Sequence, residues 1–288
     1  MSPDTPRALE WEVDGLRIAG LAWGHSAQPP VLALHGWLDN AASFARLAPH
    51  LAEEFYLVAP DLSGHGQSDW RSPDATYQVY DDVPQLHGLV GQLGWERFGL
   101  IGHSRGAIIA SLFAASFPER VSPLVLLDGV SPPPQAGEEF VSQLRHFVLD
   151  RERLRSRKSR LFPDLAAATR VREEQGLGTA AAELIAARNL VAVESGYTWS
   201  MDPRLRGASA IKMTPDQVDA MLGALPPPVL LLMAEHGLAV TNPDKFVPLA
   251  ERIPGVVLET VRGGHHFHLE EGVDTLGDRI SRFLRDLC

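Results

Sequence analysis

Cysteine is nearly missing from this chain: the one example among 288 residues is Cys288, at the last position. A single thiol cannot close an internal disulfide, so nothing calls for an oxidising compartment. No stretch approaches the roughly 18 consecutive apolar residues of a membrane span. Residues 1–9, with Pro3, Asp4 and Pro6, lack the basic start and apolar run of a secretory leader. A cytoplasmic location is the expectation, with no membrane partner. Positive charge is also short: 26 Lys and Arg face 36 Asp and Glu, a formal net charge of −10. An acidic chain has no electrostatic footprint for nucleic acid. A small-molecule partner is expected instead. Internal repeats and low-complexity segments are lacking too. The oligomeric state leaves no signature in the charge pattern.

What is present is an apolar share of 45%, enough for a large core. Residues 9–24 alternate apolar and polar around Asp14-Gly15, the pattern of a β-hairpin. Short apolar runs then recur at 31–34, 55–59, 98–101, 124–127, 229–233 and 256–261. Runs of this length suit strands buried on both faces of a parallel sheet. Helix-like stretches at 41–54, 83–93, 106–117 and 280–287 alternate with them, which predicts an α/β fold.

Residues 135–222 break the rhythm. This stretch is rich in Ala, Arg, Glu and Leu, holds the basic run from Arg151 to Arg160, and reads as several helices. Pro132-Pro133-Pro134 and Pro226-Pro227-Pro228 bracket it, and proline triplets stop helices and stiffen connections. The predicted organisation is a core of residues 1–134 and 223–288 carrying a helical insertion at 135–222.

Three motifs carry chemistry. Gly102-His103-Ser104-Arg105-Gly106 lies between a predicted strand and a predicted helix. A strand turning sharply into a helix strains its central residue and lifts the hydroxyl clear of the sheet, so Ser104 is the expected nucleophile. His35-Gly36-Trp37 ends an earlier strand. Acyl transfer needs two donors aimed at the developing oxyanion, and the main-chain N–H groups of Trp37 and Arg105 are placed to supply them. Gly263-Gly264-His265-His266-Phe267-His268 follows the last strand. It puts a base late in the chain, and His265, just past the glycine pair, is chosen over His266. His268 is expected to pack or to support. Three histidines in four residues invite a metal, but no Asp, His or Cys cluster completes a set at an obvious spacing, so no metal and no cofactor are expected.

In this order the motifs resemble the α/β-hydrolase superfamily. Asp61-Leu-Ser-Gly64-His65-Gly66-Gln-Ser68 and Phe117-Pro118-Glu119-Arg120-Val121 resemble its epoxide hydrolase and haloalkane dehalogenase-like branch. The stretches from Leu34 to Ser43, Gly196-Tyr197-Thr-Trp199 with Asp202-Pro203-Arg204, and Gly264 to His268 are most similar to serine hydrolase-like proteins. The resemblance implies an esterase-like serine hydrolase with a mostly parallel sheet and a cap. Serine rather than aspartate at the elbow argues against dehalogenation and epoxide opening. C–C bond, thioester and perhydrolase chemistry stay open on the same triad, as does a non-catalytic binding protein.

The resemblance also exposes a departure. Many relatives carry their acid in a Gly-x-x-Asp loop after the strand equivalent to 229–233. Here the loop is Ala234-Glu235-His236-Gly237, with glycine at the Asp position. Asp128, at the end of the preceding strand, is the first candidate for the acid, as in haloalkane dehalogenases, and Glu235 is the alternative. His35, His103 and Trp199 are candidate pocket residues, and Trp37, Phe140, Phe147 and Tyr197 are possible wall residues. The basic run is a solvated face or a reader of an acidic group.

Overall fold

A computed structural model describes residues 5–155, 159–241 and 243–285. Strands β1 (Arg7–Val13) and β2 (Leu16–Trp23) form the expected hairpin. Asp14 and Gly15 both have positive φ at its tip, the geometry that matches strand twist in a two-residue turn. The other strands of the main sheet are β3 (Pro30–Leu34), β4 (Tyr56–Pro60), β5 (Phe98–His103), β6 (Val121–Leu127), β10 (Val229–His236) and β11 (Val256–Gly264). Their spatial order is β1-β2-β4-β3-β5-β6-β10-β11. Pairing is antiparallel through β1, β2 and β4 and parallel from β4 to β11.

The core lies on both faces, as apolar strands with no polar side require. Leu32 and Leu34 of β3 pack with Leu100, Phe113 and Leu126 on one face. Val31 and Ala33, their neighbours in sequence, pack with Phe44, Ile101 and Ile280 on the other. Helices Val79–Gln92 and Arg105–Ser116 serve the first face and Val273–Arg285 the second. Each fully buried Leu or Phe contributes about 1.5–3 kcal/mol.

Two expectations need correction. Residues 41–54 are not one helix: the Asn40 side chain accepts from the Ala42 N–H to start a 3-10 turn at Ala41–Phe44, and a separate short helix runs Ala48–Leu51. Pro49 has no N–H with which to continue a longer ladder. Nor is the stretch between β6 and β10 wholly helical. Among its helices Phe140–Arg155, Leu165–Glu173, Thr179–Asn189 and Pro215–Gly223 lie three short strands. These are β7 (Leu161–Phe162), β8 (Leu190–Val193) and β9 (Gly196–Trp199), paired antiparallel in the order β7-β9-β8. Val191, Val193, Tyr197 and Trp199 are β-branched or aromatic residues that favour strands, on either side of a two-residue turn at Glu194-Ser195. No helix among the described residues is long and apolar enough to cross a membrane. Cys288 and residues 156–158 of the basic run lie outside the described residues.

Candidate active site

The site residues stand at the carboxyl ends of neighbouring parallel strands. β3 leads to Trp37, β5 to Ser104, β6 to Asp128 and β11 to His265. Clefts at that edge are where sheets of this kind place ligands.

Ser104 caps the helix Arg105–Ser116 with φ 52° and ψ −116°. Such a conformation is strained for a residue with a Cβ and persists only if its surroundings enforce it. The Ser104 N–H donates to the Leu127 carbonyl at 2.9 Å, which ties the elbow to β6. The flanking glycines let backbones pass: a Cβ on Gly106 would stand 2.1 Å from the Leu34 carbonyl oxygen, and one on Gly102 2.5 Å from that of Gly106. The main-chain N–H groups of Trp37 and Arg105 make no hydrogen bond among the described residues. The Trp37 indole N–H donates to the Leu205 carbonyl at 2.8 Å, and the Arg105 guanidinium pairs with buried Asp82 at 2.7 Å. Both side chains are thus committed, while both main-chain donors stay free.

His265 Nδ1 lies 2.5 Å from Asp128 Oδ2. Asp128 is fully buried, also at positive φ, and accepts from the N–H groups of Ala234 and Leu238, each at 3.0 Å. Gly237 explains the departure in the next loop. A Cβ there would stand 2.3 Å from Asp128 Oδ2. The carboxylate of Asp128 occupies the space a side chain at position 237 would need. Glu235 is exposed near the end of β10.

Ser104, His265, Gly36 and Trp37 line one cavity of about 280 Å³ together with Arg172, Gln175 and Leu177 from the segment between β6 and β10. A second cavity of about 310 Å³ shares Trp37 and is walled by Ile108, Phe147, Leu154 and Leu205, with Arg105 and Arg151 at its edge.

The structure distributes the other candidates unevenly. His103 lines the serine cavity. His35 does not: it is fully buried, accepts from the Leu62 N–H at 3.0 Å and donates to the Gly36 carbonyl at 2.8 Å. Trp199 packs edge-on against Phe162 and borders a different cavity. Phe147 walls the larger cavity, whereas Phe140 and Tyr197 are exposed. Within the basic run, Arg151 donates to the carbonyls of Pro73 and Asp74, and Arg160 lies over the Phe162 ring.

One group was missed by sequence reasoning. Asp39 is buried and takes Arg172 on Oδ1 at 2.5 Å and His266 Nε2 on Oδ2 at 3.2 Å. His103 Nδ1 lies 3.7 Å from the same Oδ2. Burial opposes the Asp39 charge, but His266, Arg172 and His103 outweigh it and hold the carboxyl well below the usual range. Burial and the neighbouring rings of His268, His266 and His265 push His103 well below the ordinary imidazole value. Asp39, His103 and His266 nonetheless bring three ligand-type atoms together in space. They come from three distant parts of the chain, so no local spacing signalled them. The Leu-Asp-Asn after His-Gly-Trp was the available hint.

A serine at a strand–helix elbow on a sheet of this order defines an α/β hydrolase. The alpha/beta hydrolase fold family matches residues 29–272, and the chain belongs to it. Its similarity runs to serine hydrolase-like proteins. That of Danio rerio is 32% identical over 281 residues, covering 93% of this chain and 85% of the relative. That of Homo sapiens is 49% identical over 127 residues, 44% of this chain. The match covers 63% of that human relative's length, and a match to a second human relative covers 40%. Among solved structures, a hypothetical protein from Pseudomonas aeruginosa PAO1 superposes with a TM-score of 0.91 at 35% identity, covering 96% of this chain and 99% of its own. A thioesterase domain from the curacin biosynthetic pathway gives 0.83 at 25% identity, covering 96% and 99%.

Proposed function

We propose that this serine hydrolase-like chain is a carboxylesterase acting on small to medium esters through an acyl-enzyme on Ser104. The observation that carries this reading is the pairing of His265 with the fully buried Asp128, with His265 and the strained Ser104 lining one cavity. Asp128 accepts from Nδ1–H, so the Nε2 lone pair of His265 is left to act as base. His265 takes the Ser104 proton as Oγ attacks the ester carbonyl. The N–H groups of Trp37 and Arg105 receive the oxyanion of the tetrahedral intermediate. The alcohol leaves with the proton from His265. Water, deprotonated by the same histidine, then releases the acid and restores Ser104. No step calls for a cofactor.

In this reading residues 135–222 form a cap on a core of 1–134 and 223–288, and the cavity behind Trp37 takes the longer arm of a small-molecule substrate. A cytoplasmic setting stays part of the proposal. Thioester cleavage is the second reading, favoured by the likeness to the curacin thioesterase domain.

The test is fluorophosphonate treatment with intact-mass and peptide mapping, followed by matched ester and thioester panels. One adduct on Ser104 and faster ester turnover are expected. An adduct with preference for thioesters selects the second reading. A folded protein that takes no adduct overturns both.

A further inference from the structure

The triad leaves Asp39, His103 and His266 without a chemical task, and their geometry is that of ligands. His103 Nε2 lies 2.9 Å from the His265 carbonyl oxygen, which can only accept, so Nε2 carries the proton. Its Nδ1 is therefore a bare lone pair. It is fully buried and has no hydrogen-bond partner. What it faces, at 3.7 Å, is Asp39 Oδ2, a second acceptor. Two buried acceptors facing each other with no donor between them are unfavourable. His266 Nε2 approaches the same oxygen at 3.2 Å.

We infer that Asp39 Oδ2, His103 Nδ1 and His266 Nε2 form a binding site for a divalent transition ion of the Zn²⁺ class. Two imidazoles and a carboxylate are a donor set such ions accept. At metal–ligand bonds of about 2.0–2.1 Å, tetrahedral ligand atoms stand about 3.3 Å apart. The separations to Oδ2 bracket that value, and all three atoms lie within 4.8 Å of one another. Gly36 lies beside two of the ligands and a side chain there would crowd them, since its Cβ would stand 2.9 Å from His103 Nδ1 and 3.0 Å from Asp39 Oδ2. Arg172 on Oδ1 turns Oδ2 toward the rings, the outer support that ligating carboxylates need. It also offsets part of the negative charge, so affinity in the micromolar range is expected rather than that of a structural zinc. As the ion enters, His266 gives up its hydrogen bond to Asp39 and ligates as the tautomer with its proton on Nδ1, leaving the Nε2 lone pair for the metal. His103 needs no such change. All three ligands line the same cavity as Ser104 and His265.

The experiment is calorimetric titration of chelator-treated full-length protein with Zn²⁺, repeated with Co²⁺ and read by its visible absorption. One equivalent is expected, with a Co²⁺ spectrum of a low-coordinate nitrogen and oxygen site. His266→Gln, which keeps a polar side chain of similar size at a mostly buried position, is expected to weaken binding about 100-fold. Gly36→Ala fills the site without removing a ligand and should do the same. His146→Gln, at an exposed histidine on helix Phe140–Arg155, should bind as the parent does. A folded parent that takes up no Zn²⁺ at millimolar concentration overturns the site. So does binding that survives both His266→Gln and Gly36→Ala. None of these readouts depends on ester turnover.

Discussion

At the scale of single residues, the site turns on an exchange of positions. Asp128 reaches His265 because Gly237 has no side chain to block it. Asp128→Asn is expected to keep the fold but leave the histidine without an anion, lowering kcat by about four orders of magnitude. Glu235→Gln, at an exposed position, should stay within about twofold of the parent. Steady-state kinetics on one ester decides between the two acids, and a large loss at Glu235 with none at Asp128 reverses the assignment. Gly237→Ala tests the steric half of the argument. Its Cβ would press on both Asp128 oxygens, at 2.3 and 2.6 Å, so activity should fall although no proposed catalytic group has changed.

At the scale of elements, close approach between strand and helix sets the elbow. Gly106→Ala would drive a methyl to 2.1 Å from the Leu34 carbonyl oxygen, which is backbone and cannot swing aside. The helix Arg105–Ser116 must then move off β3. A loss of about 1–3 kcal/mol or more is expected, read as a lower urea midpoint. The segment between β6 and β10 is fastened by buried ion pairs of comparable weight. Arg188, on helix Thr179–Asn189, meets fully buried Asp61 at 2.8 Å, and Asp61 also accepts from the N–H groups of Ala41 and Gln67. Arg188→Met would strand that carboxylate, and about 3–5 kcal/mol of destabilisation is expected in the same denaturation assay. A midpoint unchanged from the parent would mean that the pair contributes little.

At the scale of the whole molecule, buried histidines make stability depend on pH. Burial, then the neighbouring His266, holds His268 down to about 3 from an ordinary 6.5. Burial lowers His35, His65 and His103 as well. The unfolded chain therefore binds more protons than the folded one below pH 6.5. Stability from His268 is complete above that value and is lost as pH falls toward 3. Asp39, lowered as a carboxyl, loses its contribution in the same direction at more acid pH. A melting temperature that declines steadily from pH 7 to pH 4 is expected, each such histidine contributing up to about 1.4 kcal/mol per pH unit. A flat profile would mean that these rings are reached by solvent in the native state.

Local pattern by itself determined much of this protein. Apolar runs of strand length, the glycines around Ser104 and the late His265 are short-range signals, and each marks an element or a turn that the structure contains. The break within residues 41–54, between the turn Ala41–Phe44 and the helix Ala48–Leu51, was missed, although Pro49 offered a hint of it. The three short strands at 161–199 were harder, because segments of two to four residues carry too little periodicity to compete with the helices around them. Sequence ranked Asp128 ahead of Glu235, but only the tertiary structure showed that Asp128 meets His265, because the space beside Gly237 holds the Asp128 carboxylate. The tertiary structure alone joined Asp39, His103 and His266, since atoms from three separate strand ends become neighbours only when the parallel strands align side by side.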